Sequence, residues 1–216
     1  MATTITIGAN TYNLIAMPNN LVPSGVEWGM NDSAAQNVSP FTRRTQVQAW
    51  PGADFWDAKA TLPPMVRAMG APWEAFLAEL RGISNVFQLA DPRGMGPLGT
   101  PRGTPLVNGT VSTNNLPMST VLSTRGWTAS QYRLLLPGDL FQIGYRLHRV
   151  CEAVNSDGSG NATISVWPSL REQPADGAPL ILKAPSGLFR LAGNRRSSRW
   201  ELGGIVKLSF QAVEAR

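Results

Sequence analysis

The chain has 216 residues, of which 43% are hydrophobic and only 15% are charged, a composition that excludes a coiled coil and charged disorder. Its single cysteine, Cys151, and single histidine, His148, exclude internal disulfides and multi-cysteine or multi-histidine metal sites, so we expect no metal and no cofactor. The net charge of +5, in which arginine far outnumbers lysine, is compatible with a nucleic-acid partner or an arginine-rich protein interface.

The N-terminal part of the chain predicts short strands. Residues 3–7 and 10–16 alternate around a Gly-Ala-Asn turn and indicate a small hairpin. Residues 19–39 are rich in Asn, Ser and Gly, which we expect to break up any long element. Residues 43–50 alternate polar and apolar side chains up to a Pro-Gly turn signal, and residues 54–62 predict a further strand that two prolines end.

The clearest helix signal covers residues 72–81. Pro72 stands where the first helical position would be, since proline is favoured there, and Gly82 supplies the end. One apolar stripe follows at helical spacing, formed by Trp73, Phe76, Leu77 and Leu80. This pattern predicts one amphipathic helix on a sheet, with its aromatic side chains in the core.

A Gly- and Pro-rich loop over residues 91–103 marks the seam of a predicted insertion. From residue 105 to residue 180 short strand candidates recur at spacings of roughly 8–12 residues, one of them at 132–136, which is typical of a small barrel of OB or SH3 size. Residues 181–216 return to the host and end in an alternating strand over 205–213. We therefore predict a host β domain of residues 1–104 plus 181–216, with the inserted barrel at 105–180.

No pattern of catalytic residues emerges, and we expect no enzyme. His148 and Cys151 are three residues apart on a predicted strand, which places them on opposite faces. The scattered carboxylates Asp54, Asp57, Asp139 and Glu152 lack the context that would fix a glycosidase-like pair. A nucleic-acid regulator is a further alternative that only the net charge supports. No helix-turn-helix, zinc or RNA-binding signature is visible in the sequence.

The sequence shows no targeting pattern. Its first residues lack the charged and apolar regions of a secretion signal, and no run approaches the ~20 apolar residues of a membrane span. We therefore expect a protein made in a cytoplasm, with no membrane insertion.

Several blocks in combination resemble distal tail proteins of long-tailed bacteriophages, over residues 40–215. The blocks are WPGADFW at 50–56, LPPM at 62–65, WEAFL at 73–77, LRG at 80–82, GDLFQIG at 138–144, GNATI at 160–164, WPSLR at 167–171 and VKLSFQAVEA at 206–215. The resemblance implies a mainly β (α+β) fold: a tail-tube-like β-sandwich or split barrel with one flanking α-helix and an inserted small β-barrel.

The resemblance also implies a function. Such a protein is a structural component of the virion, synthesised in the cytoplasm of a bacterial host. It forms a homo-oligomeric ring, expected to be a hexamer, at the distal end of the tail. The ring joins the tail tube above to the hub or tip and fibres below, and DNA passes through its open lumen. The alternatives are a carbohydrate- or fibre-binding module of the tail tip, and a tail-tube or tail-terminator protein.

Two groups of residues are candidates for contacts. The first consists of arginines that would face the lumen or a neighbouring subunit, with solvated turn arginines as the alternative: Arg43, Arg44, Arg195, Arg196 and Arg199. The second consists of aromatic residues of the barrel that would stack on sugar rings, with a place in the core as the alternative: Trp127, Tyr132, Tyr145 and Trp167.

Overall fold

The computed structural model describes residues 3–7, 9–20, 22–91, 96–110 and 114–216, and these form a mainly β fold with one α-helix, as predicted. Residues 92–95, in the predicted loop at 91–103, lie outside the described residues. No helix among the described residues is long and apolar enough to cross a membrane. In chain order the elements are β1 (Thr3–Ile7), β2 (Asn10–Leu14), β3 (Gly25–Asn31), β4 (Ala34–Val38), β5 (Thr45–Ala49), β6 (Phe55–Thr61), β7 (Met65–Val66), α1 (Arg67–Glu79), β8 (Phe87–Ala90), β9 (Gly103–Val107), β10 (Val121–Trp127), β11 (Leu140–Ile143), β12 (Arg146–Val150), β13 (Ala162–Trp167), β14 (Leu180–Ile181), β15 (Ser186–Leu191), β16 (Ser198–Glu201) and β17 (Ile205–Glu214).

The larger sheet has seven strands, with β3, β6, β17, β15 and β8 in order and β7 and β16 also paired with β17. The C-terminal strand β17 alternates as predicted: its even-numbered positions from Val206 to Glu214 are buried, while Lys207, Ser209 and Gln211 are exposed. It pairs antiparallel with β6. The buried face packs against the apolar stripe of α1, in a core rich in aromatic rings.

The smaller sheet has six strands in the order β14, β11, β12, β13, β10 and β9. A bridge between Leu106 and Pro179, together with a hydrogen bond from Val107 N to Ala178 O (2.8 Å), brings the two edges together, so the sheet closes on itself. We call this closed sheet the barrel; its core of buried aliphatic and aromatic residues is separate from the core beneath α1. The division of the chain into a host and an inserted domain at residues 105 and 180 stays a prediction.

The helix begins earlier than predicted, at Arg67 instead of Pro72, and ends at Glu79 instead of residue 81. Two contacts stabilise the additional turn: β7 pairs with the start of β17, and Gly70 lies so close to Val206 that a Cβ there would be 3.1 Å from its side chain. Pro72 thus occupies the sixth position of the helix. It is tolerated there because the hydrogen bond that proline cannot donate would go to a carbonyl of the exposed first turn.

Residues 19–39 contain no long element but two strands of seven and five residues, β3 and β4, which pair with β6 and β5. Two other local expectations were wrong. The strand predicted over 43–50 begins only at Thr45, because the preceding residues form a hairpin turn. Residues 132–136 form a loop whose backbone bonds to the turn at 154–157 and makes only an isolated bridge, between Leu135 and Val154.

Candidate functional site

The hairpin formed by β4 and β5, here called the arm (residues 34–49), projects from the seven-stranded sheet. Among the described strands β4 and β5 pair only with each other, and every residue of both strands is exposed. A two-stranded hairpin is marginally stable in water by itself. The arm thus lacks, in its own chain, the packing that normally stabilises such an element.

The two faces of the arm differ in chemistry. Residues directly opposite each other share a face, and the register pairs Ala34 with Ala49, Gln36 with Val47 and Val38 with Thr45. This face is mostly apolar, and the side chain of Val47 is 64% exposed. The opposite face carries amide side chains, those of Asn37, Gln46 and Gln48. The apolar face therefore has the composition of a surface that is covered in a complex.

The tip of the arm (residues 39–44) presents an aromatic ring beside two of the predicted arginines. Phe41 is 94% exposed, and Arg43 adopts a left-handed backbone conformation (φ 53°) in the turn closed by a Ser39 N to Arg44 O bond of 3.0 Å. Arg43 and Arg44 are the only charged residues between positions 33 and 53. Aromatic and arginine side chains dominate the binding energy of many protein interfaces, so the tip has the chemistry of an anchor.

The other three predicted arginines lie on a separate segment, between β15 and β16. Arg196 donates through Nη1 to Leu77 O (2.9 Å), where it satisfies a carbonyl near the end of α1. Arg199 is exposed and pairs with Glu201 at 3.5 Å. Arg195 lines a groove of about 430 Å³ together with Lys59. The structure therefore places the five arginines on two surfaces, and Arg196 has a helix-capping role.

The four predicted aromatic residues do not form one surface. Trp127 lies in the core of the barrel and donates to Thr124 Oγ1 (2.8 Å). Trp167 packs edge-on against Trp56 at 4.6 Å between ring centroids, and Tyr145 is half-buried beside the β1–β2 hairpin. Only Tyr132, of these four, is exposed, with 81% of its surface accessible. It is the one member of the set whose ring can meet a ligand face-on.

A group of buried charges, here called the ion-pair junction, joins the two large sheets. Arg171, which follows β13 and is 8% exposed, lies 3.3 Å from Asp54 Oδ1 and 3.0 Å from Glu214 Oε2 on the seven-stranded sheet. Arg146 of β12 pairs with Glu172 at 2.9 Å and approaches Glu214 to 3.8 Å. Arg171 follows a strand of the barrel, whereas Asp54 immediately precedes β6 and Glu214 ends β17, so these contacts connect the barrel to the larger sheet.

Two buried titratable groups, Asp54 and His148, make hydrogen bonds within the fold. Burial raises the pKa of Asp54, but hydrogen bonds from Ser169 and the charge of Arg171 outweigh it and hold that pKa below its ordinary value. Burial lowers the pKa of His148, whose Nδ1 lies 2.9 Å from Pro168 O. His148 is buried on β12, whereas Cys151 is exposed and lies just after the end of that strand. No group of three or more His, Cys, Asp or Glu side chains among the described residues is arranged to hold a metal ion.

Comparisons with known proteins found no relative: no protein-family model matches the chain, and no curated protein shows significant sequence similarity to it.

Sequence reasoning missed three functional features: the apolar face of the arm, Phe41 at its tip, and the arginine neighbours of Tyr132. The long stretch without acidic residues around Arg43 and Arg44 is the one sequence signal that marks the arm. Arg133 follows Tyr132 in the chain, whereas Arg102 lies 30 residues earlier, so its proximity depends on tertiary structure.

Proposed function

We propose that the chain is a structural protein of a bacteriophage tail, with no catalytic activity, that assembles through the arm into a homo-oligomeric ring at the distal end of the tail tube. The observation that carries the proposal is the arm itself: an exposed hairpin with an apolar face and a tip of Phe41, Arg43 and Arg44. The resemblance of residues 40–215 to distal tail proteins supports the place in the virion and the expected six copies.

A second feature supports assembly between copies. β3 lies at an edge of the seven-stranded sheet, where its outer backbone groups are open to another strand. Exposed sheet edges of this length invite pairing with other chains, and a closed ring covers them. In the proposed ring the lumen is open to DNA, the tail tube lies above, and the hub or tip and fibres lie below. Tail-tube and tail-terminator proteins remain the alternative identities, since a ring of copies suits them equally.

The arm's role is tested by the mass of the purified protein in solution. Six copies of the 23.3 kDa chain give a ring of about 140 kDa. We expect wild-type protein to reach this mass, and the double variant Phe41→Ala, Val47→Asn to stay monomeric because it removes the aromatic anchor and the apolar face. Tyr132→Ala is the matched control, because it removes another highly exposed ring (81%) away from the arm and should leave the mass unchanged.

Two results would overturn the proposal. One is a wild-type protein that stays monomeric at every concentration reached. The other is an arm variant that assembles as well as wild type, since the arm would then contribute nothing to the contact between copies.

A further inference from the structure

Tyr132 stands on a loop of the barrel whose backbone is fixed by four hydrogen bonds. We call residues 130–134 the tyrosine loop. Its hydrogen bonds run from Ser130 N to Asp157 O (2.8 Å), from Gln131 N to Ser156 Oγ (2.9 Å), from Arg133 N to Asn155 Oδ1 (2.8 Å) and from Leu134 N to Val154 O (2.9 Å). A loop that is ordered before binding loses little entropy when a ligand arrives. The loop is therefore built as a rigid support.

The backbone on both sides of Tyr132 is strained. Ser130 and Arg133 have φ angles of 55° and 56°, in the left-handed region that residues other than glycine seldom adopt. Such conformations persist only where the surroundings enforce them, and they concentrate at binding sites. Here they turn the chain so that the ring of Tyr132 points outward with 81% of its surface exposed.

A second segment turns this surface into a pocket. The carboxylate of Asp139 accepts hydrogen bonds from Leu98 N (2.6 Å), Gly99 N (3.2 Å) and Leu136 N (2.7 Å), and Thr100 N donates to Arg133 O (3.0 Å). The result is a concavity of about 390 Å³, here called the tyrosine pocket, whose walls include Leu98, Thr100, Arg102, Gln131, Tyr132 and Arg133.

The charge of the tyrosine pocket is positive. Arg102 and Arg133 both line it and are exposed, and Arg102 is oriented by a 3.3 Å bond from Nη1 to Gln131 Oε1. None of the described residues that line the pocket is an aspartate or glutamate. Arginine binds carboxylates through paired, charge-assisted hydrogen bonds. An anion held by these two side chains would therefore lie in the same concavity as the tyrosine ring.

We propose that the tyrosine pocket binds one carboxylate-bearing sugar unit of an acidic saccharide, with the sugar ring against Tyr132 and the carboxylate on Arg102 and Arg133. The size of the pocket favours a saccharide over single-stranded nucleic acid, which is bound in long basic grooves that follow several phosphates. The site lies within one chain, so it goes beyond ring assembly and does not depend on it.

Isothermal titration calorimetry on the full chain tests the site. The probes are tetragalacturonate, its methyl ester as the neutral counterpart, a hyaluronan tetrasaccharide and an oligothymidylate. We expect a carboxylate saccharide to bind and the methyl ester to bind at least tenfold more weakly. Arg102→Ala and Arg133→Ala should each weaken binding roughly tenfold to a hundredfold. Tyr132→Ala should weaken it too, Tyr132→Phe should retain it, and the helix-surface variant Arg67→Ala should bind like wild type.

Each contrary result overturns the proposal. Failure of both acidic saccharides to bind at concentrations up to about 10 mM excludes a usable site. Equal binding of the methyl ester excludes recognition of the carboxylate. Unchanged binding by the Arg102, Arg133 and Tyr132 variants places the saccharide elsewhere. Tighter, Tyr132-dependent binding of the oligothymidylate would make the pocket a nucleic-acid site instead. Because the substituted side chains are exposed, a folded variant is expected, and circular dichroism verifies it.

Discussion

The arm and the tyrosine loop both present an aromatic ring beside arginines, yet the chain supports them in opposite ways. Phe41 stands at the end of a hairpin whose strands pair only with each other among the described strands. Tyr132 stands on a loop fixed by hydrogen bonds from four backbone N–H groups, two on each side of it. The two regions contain similar residue types, but we expect different functions of them because their backbones are supported differently.

The difference separates two kinds of recognition. An element that gains its packing only from another surface suits assembly, because docking supplies the stability that the hairpin lacks alone. A loop that is already rigid suits a small ligand, because little ordering remains to oppose binding. We therefore assign the arm to contacts between copies and the tyrosine pocket to a ligand.

The ion-pair junction connects the barrel, which carries the tyrosine loop, to the larger sheet. Removal of one partner from a buried ion pair destabilises a protein by about 3–5 kcal/mol, because the remaining charge is left without compensation. We expect a loss toward the lower end of this range for Arg171→Ala. The variant removes the buried cation beside Asp54 and Glu214, while Ser169 still donates to Asp54 and Arg146 stays 3.8 Å from Glu214. Urea denaturation measures the loss. Arg125→Ala, which removes an exposed pair with Asp176, is the control and should unfold near the wild-type midpoint. A near-wild-type midpoint for Arg171→Ala would contradict the junction's role.

The second wall of the tyrosine pocket, formed by the segment from Leu98 to Thr100, depends on Asp139. Asp139→Ala removes the acceptor of three backbone N–H groups, so we expect a loss of about 2 kcal/mol in the free energy of unfolding. Saccharide binding should fall with it, although Asp139 does not line the pocket. Glu152→Ala, an exposed carboxylate on the same barrel, should change neither quantity. Full binding by Asp139→Ala would show that the pocket does not need this support.

The stability of the barrel should depend on pH through His148, the only histidine of the chain. Burial lowers its pKa below the ordinary value of 6.5, so the unfolded state takes up a proton first as the pH falls. The free energy of unfolding is unaffected above pH 6.5 and decreases below it, by at most about 1.4 kcal/mol per pH unit.

The groups nearest to His148 do not alter this sign. Glu214 favours its charged form, while Arg171 and Arg146 oppose it, and burial exceeds all three. The pKa of Asp54 is lowered, so its contribution is lost only in more acidic solution. His148→Asn should flatten the slope between pH 6.5 and 5 in denaturation curves measured at several pH values. An unchanged slope would assign the pH dependence to another group.

The smallest effect on stability is expected at the arm. Phe41→Ala removes a ring that is 94% exposed, so the free energy of unfolding of the monomer should change by less than about 0.5 kcal/mol. A large loss measured on monomeric protein would mean that Phe41 packs within its own chain, and the contrast with the tyrosine loop would fail.

The sequence predicted the elements whose pattern follows from burial, such as the alternating strand β17 and the apolar stripe of α1. It missed β3 and β4, because their stability comes from pairing with strands that follow them in the chain. It identified Tyr132 as a candidate but grouped it with Trp127 and Trp167, since exposure cannot be inferred from residue type. The pocket around Tyr132 depends on Arg102, which lies 29 residues before Gln131 and meets it only in the folded chain.

Electron microscopy of the purified protein tests the central claim most directly. We expect closed rings with six-fold symmetry, in which the arm of each copy lies against its neighbour. Single copies at all concentrations, or rings in which the arms point freely into solvent, would contradict it.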